Sequence, residues 1–228
     1  MKRRDALVLA GTALFLAGCW GNTYTYKQKL TVVVQTPDGE ASGSAVTEVR
    51  ANVGDQGVLS EAIVNYRVRG EATVVDLGHG KYLFALLSSG GERTATEYWA
   101  MDAFYKRVIP DYPSGSIDRL NTFYAALLSL RDRASMARDQ YPLLVTFSDI
   151  NVPTSVKEVK PGDLPAAFGE GYRLKSITLE ITDEDVTRDN IQRVLPWSRQ
   201  LIGSIGKNMK LPYEHILNQV NDGSFARK

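Results

Sequence analysis

The chain has 228 residues, with 27 basic and 26 acidic side chains, and 43% of its residues are hydrophobic. That length allows a sizeable core in one large domain or two small lobes. The balanced charge, with no lysine- or arginine-rich block beyond the N-terminus, excludes a nucleic-acid protein, and a single cysteine excludes a disulfide-stapled secreted fold.

Lys2, Arg3 and Arg4 form a basic segment, and an apolar run follows from Ala6 to Ala17, interrupted only by Gly11 and Thr12. The run is too short for a bilayer core, which takes roughly 20 residues, and has the length of the hydrophobic region of a signal peptide. It closes on Leu16-Ala17-Gly18-Cys19. This tetrapeptide resembles the lipobox of bacterial lipoproteins. The resemblance implies cleavage between Gly18 and Cys19, a diacylglyceryl group on the Cys19 thiol and an acyl chain on the new amino group. Multiple chains, at about 0.8 kcal/mol per buried methylene, anchor stably. In enterobacterial lipoproteins an aspartate after the cysteine retains the protein at the inner membrane. Trp20 holds that place here, which favours the outer membrane. Removing residues 1–18 takes away three basic residues and one acidic one, so the totals of 27 and 26 become 24 and 25.

Residues 19–29 read as a lipidated tether in which Tyr24 and Tyr26 mark the start of a strand. Residues 30–90 read as a β-rich lobe. Leu30, Val32 and Val34 alternate with Thr31, Val33 and Gln35, and Pro37-Asp38-Gly39 is a turn leading to a second strand through Ser44–Val49. Residues 61–69 alternate well enough for a third strand. A second hairpin flanks Gly78-His79-Gly80, giving about five antiparallel strands over 24–88 with an apolar face that needs a cover.

Residues 91–228 read as an α/β lobe forming one compact unit with the first. Thr94 and Glu97 match a capping box, and Tyr98, Met101, Tyr105 and Val108 follow at helical spacing until Pro110. Ser116 caps a second helix, expected to run near 116–133, whose apolar face carries Ile117, Leu120, Tyr124, Leu127 and Leu128. Strands are predicted at 142–149, with Leu143, Val145 and Phe147 on one side, and at 172–182, with Ile177, Leu179 and Ile181 alternating. Asp163 is placed to cap one helical turn ending at Phe168. Two short helices close the chain, the second starting at Pro212 with Tyr213, Ile216, Leu217 and Val220 on one face and ending at Asn221-Asp222-Gly223. The fold class is thus α+β: an N-terminal antiparallel sheet packed by helices, with further strands and short helices in the C-terminal half.

Thr31 to Arg50, Gly70 to Leu87 and Pro142 to Trp197 are similar to segments of uncharacterised lipoprotein-like proteins of Gram-negative bacteria. The most specific stretches are Gly43–Val49, Pro142–Phe147, and Leu174–Thr182 with Leu195-Pro196-Trp197. The resemblance implies no activity, cofactor or catalytic residue.

The residues with chemical potential are few. His79, in a turn, and His215, on a polar helix face, are the only histidines and lack the ligand set of a zinc site. Asp183, Asp185 and Asp189 lack the glycine and glutamate of a calcium loop, since Arg188 and Val194 hold those places. Gly203-Ser204-Ile205-Gly206-Lys207 lacks phosphate-loop spacing, and no Gly-x-Ser-x-Gly elbow exists. Trp99, Tyr98 and Tyr105 read as core. Tyr112, Tyr172 and Trp197 lie near loops and are the candidate binding surface. The sequence therefore reads as a lipid-anchored protein of the cell envelope, exposed to the periplasm, using no cofactor or metal and acting by non-enzymatic binding or a structural role. Its partners would be the membrane, through the lipid on Cys19, and an envelope protein, toxin or glycan. An immunity-type inhibitor of an envelope-acting toxin is one alternative. A hydrolase using carboxylates such as Asp149, Asp163, Glu170 or Glu180 is another, and no spacing selects a pair among them.

Overall fold

A computed structural model describes residues 21–55, 62–87, 95–109 and 116–228. In chain order the strands are β1 (Asn22–Thr36), β2 (Gly39–Asp55), β3 (Ala62–Glu71), β4 (Thr73–Asp76), β5 (Tyr82–Ala85), β6 (Arg133–Ser135), β7 (Leu144–Phe147), β8 (Val156–Glu158), β9 (Arg173–Thr182) and β10 (Ala226–Arg227). The helices are α1 (Trp99–Val108), α2 (Ile117–Ser129), α3 (Pro165–Phe168), α4 (Asn190–Val194), α5 (Ile216–Gln219) and α6 (Asp222–Phe225). The fold is α+β.

The β1–β2 hairpin forms as its turn chemistry predicts. Pro37 and Asp38 separate the strands, and pairing runs from Thr36 opposite Gly39 back to Asn22 opposite Val53. β1 therefore begins well before Leu30. Tyr26, Gln28, Leu30, Val32 and Val34 are buried along one face, in the period-2 alternation that a half-buried strand dictates. β9 pairs with the free side of β1, and the larger sheet is completed antiparallel in the order β10-β3-β2-β1-β9-β6.

The expected single sheet over 24–88 is in fact shared between two. β4 and β5 form the predicted hairpin around Gly78-His79-Gly80, but they join β7 and β8 in a second sheet of order β4-β5-β7-β8. This sheet lies on β2 and β1 through β4. The approach is close enough that a Cβ on Gly43 would sit 1.9 Å from the Val74 carbonyl oxygen and 2.7 Å from its carbon. Only glycine fits there. β7 is consequently covered on both faces, with Leu144, Val145, Thr146 and Phe147 all buried, and not one-sided as its alternation suggested.

α2 packs across β1, β2 and β3, and α1 lies against β9 and β6. The Ser116 hydroxyl accepts from the Arg119 N–H at 3.4 Å, as the cap signal predicts. The helix stops at Ser129 and does not reach 133, because Arg133–Ser135 is drawn into pairing with β9. Leu127, Val145, Ile177 and Leu179 are buried as expected, Leu120 is half-buried, and Leu128 is 46% exposed despite its place on the predicted apolar face. Both sheets and the two long helices share one hydrophobic core. α1 starts at Trp99, and Thr94 lies outside the described residues.

The C-terminal helices differ from expectation. α5 begins only after His215, whose Nδ1 accepts from the Leu217 N–H at 3.3 Å, and Tyr213 stands 77% exposed ahead of it. Asn221-Asp222-Gly223 opens a helix and does not end one: Asn221 is the N-cap of α6, reciprocally bonded with Ser224.

Leu127→Ala or Leu179→Ala should each lower unfolding free energy by about 2–5 kcal/mol. Gly43→Ala should cost about 3 kcal/mol or more through overpacking. Gly54→Ala, where a Cβ meets nothing within 4 Å, should stay within about 0.5 kcal/mol. Denaturant midpoints of the variants check all three.

Candidate functional site

The end of β3, the strand β10 and the segment from 186 to 199 enclose a cleft of about 410 Å³. Its side chains include Arg69, Glu71, Arg188, Asp189, Arg199, Arg227 and Lys228. The wall is set by Glu71, which is 5% exposed. Its carboxylate accepts the backbone N–H groups of Asp189 at 2.6 Å, Asn190 at 2.8 Å and Ile191 at 3.2 Å. These are the first N–H groups of α4, which have no partner within the helix. Asp189, with φ of 67°, turns the chain so that they converge on one carboxylate. Charge-assisted bonds of this kind are about twice as strong as neutral ones. Gly70 brings Glu71 to this position with φ of 133°, and a Cβ there would press on Thr47 and the Val46 carbonyl.

The cleft is cationic. Arg199 pairs with Asp189 at 2.8 Å, Arg69 with Glu48 at 3.3 Å and Arg227 with Glu97 at 3.3 Å. Arg188 and Lys228 are exposed and have no partner among the described residues. The two acids of the lining are thus already used, Glu71 by backbone N–H groups and Asp189 by Arg199, which leaves unmatched positive charge facing the opening.

A second polar group lies inside, between α2 and the sheet. Tyr24 and Tyr26 stack on Tyr124 with centroids 5.8 and 6.2 Å apart, and the hydroxyls of Tyr66 and Tyr124 share a hydrogen bond of 2.6 Å. Burial raises all three phenols Tyr26, Tyr66 and Tyr124 above their ordinary range. Neighbouring Tyr66 and Glu97 add to the effect at Tyr26, and Tyr66 is pushed up to about 12 against the opposing hydrogen bond from Tyr124. The Tyr26 hydroxyl and the Gln28 Oε1 are buried without a hydrogen-bond partner among the described residues.

The residues singled out from sequence scatter. Gly18, Cys19 and Tyr112 lie outside the described residues. Tyr172 is 4% exposed, its ring tilted against Phe168 with centroids 5.7 Å apart and Lys81 Nζ 4.8 Å from its ring centre, so it is a core residue and not a binding surface. Trp197 is half-buried: its ring meets Phe147 and Phe225 edge-on, and its Nε1–H donates to the Ile150 carbonyl at 2.7 Å. Both aromatics hold loops onto the core. His79, in the β4–β5 turn, places Nε2 3.1 Å from Asp38 Oδ2, and both side chains are largely exposed. Asp149 closes its own turn on Asn151, Asp163 accepts from the Ala166 N–H at the start of α3, Glu180 pairs with Arg133, and Glu170 is exposed. None of the four lines the cleft. Among the described residues no three His, Cys, Asp or Glu side chains converge as metal ligands, and no helix is long and apolar enough to cross a membrane.

No protein-family model, curated protein or solved structure matches the chain.

Glu71→Ala strands the N–H groups at the start of α4 and should lower stability by about 3 kcal/mol, measured by denaturant unfolding. The tyrosines give a pH dependence of known sign. A phenol with a folded pKa above its unfolded value near 10 binds its proton more tightly in the native state. Its stabilising contribution is therefore complete below about pH 10 and is lost as pH rises toward the folded value. Unfolding free energy should fall above about pH 10, and Tyr66→Phe should remove up to about 1.4 kcal/mol per pH unit of that slope.

Proposed function

We propose that the protein is a lipid-anchored component of the bacterial cell envelope, exposed to the periplasm, that acts by binding an acidic partner in its arginine-lined cleft. The anchoring part rests on Leu16-Ala17-Gly18-Cys19 behind a basic and apolar leader. The binding part rests on one observation. The cleft's own acids are satisfied by Arg199 and by three backbone N–H groups, while Arg188 and Lys228 face solvent without a partner among the described residues. Guanidinium groups suit carboxylates and phosphates because their planar forks donate in pairs. An acidic segment of an envelope protein, or a carboxylate-bearing glycan, has the matching chemistry.

Two measurements test the two parts separately. Cys19→Ala should abolish labelling by radioactive fatty acid and leave a precursor or a soluble form; label persisting on that variant would refute anchoring. For binding, the lipidated protein is captured from detergent-solubilised native membranes and the co-purifying species identified. Arg188→Glu should reduce its recovery about tenfold or more, as expected for loss and reversal of a charge-assisted contact at roughly 1.4 kcal/mol per decade. Recovery unchanged by Arg188→Glu and by Arg199→Glu would remove the cleft from the binding site.

A further inference from the structure

The outer face of the larger sheet and the connection beside it carry cations, and several are matched. Lys27 lies 3.8 Å from Asp185, Lys29 2.8 Å from Glu184, Arg69 3.3 Å from Glu48 and Arg131 2.5 Å from Asp183, while Arg133 pairs with Glu180. Arg50, Arg67 and Arg173 are exposed and have no partner among the described residues. Of these, Arg50 and Arg67 stand directly opposite each other in the β2–β3 register. Like charges placed directly across an antiparallel pair destabilise the sheet. An anion between them removes that penalty.

The space for one exists. Arg50 and Arg67 line a shallow pocket of about 420 Å³ with Asn52, Asn65 and Tyr66. Asn52 and Asn65 are themselves opposite in the register, so two amides adjoin the two guanidinium groups; Asn52 Nδ2 also donates to Thr23 Oγ1 at 3.1 Å. Side chains of this kind suit phosphate oxygens.

The position of the pocket in the chain says where the anion would come from. Arg50 is opposite Thr25, and Asn52 is opposite Thr23, at the start of β1. Only Trp20 and Gly21 separate that start from Cys19. A link that short reaches about 10 Å when fully extended. An acylated Cys19 would therefore hold this corner of the sheet at the level of lipid headgroups.

We propose that the Arg50–Arg67 pocket docks the folded body on anionic phospholipid headgroups of the membrane that its own lipid enters. This rests on the anchoring reading of Cys19. It fixes an orientation: the corner holding the start of β1 faces the bilayer, and β3 leads away from it. Glu71 and the cationic cleft, about 20 Å further along β3 than Asn65, then point into the periplasm.

The test uses the full lipidated protein with Thr25→Cys. Because the Cys19 thiol is consumed by lipid, this variant has one free thiol, on the exposed side chain next to Arg50. It is spin-labelled and reconstituted into phosphatidylcholine vesicles with or without phosphatidylglycerol. Flotation comes first: protein that does not float with pure phosphatidylcholine vesicles refutes anchoring and hence the ground of this inference. For floating protein the readout is accessibility of the label to a water-soluble nickel chelate. Two cations at an anionic surface favour the docked orientation about thirtyfold, so accessibility with about one quarter phosphatidylglycerol should fall to about a tenth of its value without it. Arg50→Gln with Arg67→Gln should restore accessibility without impairing flotation. The thermal midpoint of this double variant should equal or exceed that of the parent, since a like-charge contact is gone. High salt should release the parent protein in the same way. Equal accessibility in the two vesicle types, or protection that survives both the double substitution and salt, overturns docking and leaves anchoring intact. Protection produced by inorganic phosphate on pure phosphatidylcholine vesicles overturns it as well, by making the pocket a site for soluble anions.

Discussion

The fold depends on one backbone contact. Where β2 crosses β4, the Val74 carbonyl occupies the volume that any side chain at position 43 would need. This contact lets the second sheet lie directly on the first, and it divides the inner face of β1 between two covers. Tyr24 and Tyr26 lie under α2, with Tyr124 stacked on both. Leu30, Val32 and Val34, further along the strand, are buried on the side where β4 lies, and the Thr73 hydroxyl reaches the Leu30 carbonyl at 3.5 Å. Widening the crossing by one methyl group would separate close-packed surfaces, and an interior packed to crystal density has no slack to absorb that.

A second clasp operates at the C-terminal end of β3. Glu71 reaches across 118 positions in sequence to bond the Asp189 N–H, and β10 pairs with Glu71 and Gly70 from the other side. Strand edge, α4 and the C-terminal segment are thereby tied at one carboxylate. This arrangement also determines what the cleft offers a ligand. An acid that spends its oxygens on backbone N–H groups keeps its charge but does not tie up the surrounding guanidinium groups, whose donors stay available.

Much of the local structure was legible because local chemistry decides it. Pro37-Asp38-Gly39 predicts its hairpin, Ser116 its helix start, Asp163 the single turn of α3, and the alternation of Ile177, Leu179 and Ile181 the strand β9. What failed is what depends on partners distant in sequence. Period-2 alternation identifies a strand without saying which sheet it enters, so β4 and β5 read like β1 to β3. Leu128 falls on the apolar side of its helix by spacing, yet α2 ends one residue later and leaves it 46% exposed. Tyr172 and Trp197 have loop-like neighbours in sequence, but the rings of Phe168, Phe147 and Phe225 enclose them. Glu71 was invisible as a site residue, because a glutamate ending a strand reads as a solvated side chain until the helix it caps is placed beside it. Leu16-Ala17-Gly18-Cys19 lies outside the described residues.

The division of β1 between two covers has a dynamic consequence. Gln28 sits where the covers meet: its amide nitrogen donates to the Thr96 carbonyl at 2.8 Å, while its oxygen and the adjacent Tyr26 hydroxyl are buried without partners among the described residues. Water entering at this line would satisfy both atoms, and with them Thr47 Oγ1 opposite Gln28, which is also buried without a partner among the described residues. Opening along it is thus the least costly breach of the interior. The pair α1–α2 and the second sheet become separate units of local unfolding, each able to lift from β1 while the other stays closed. Backbone amides under α2 and those under β4 would then exchange with solvent at different rates, though they belong to the same strand.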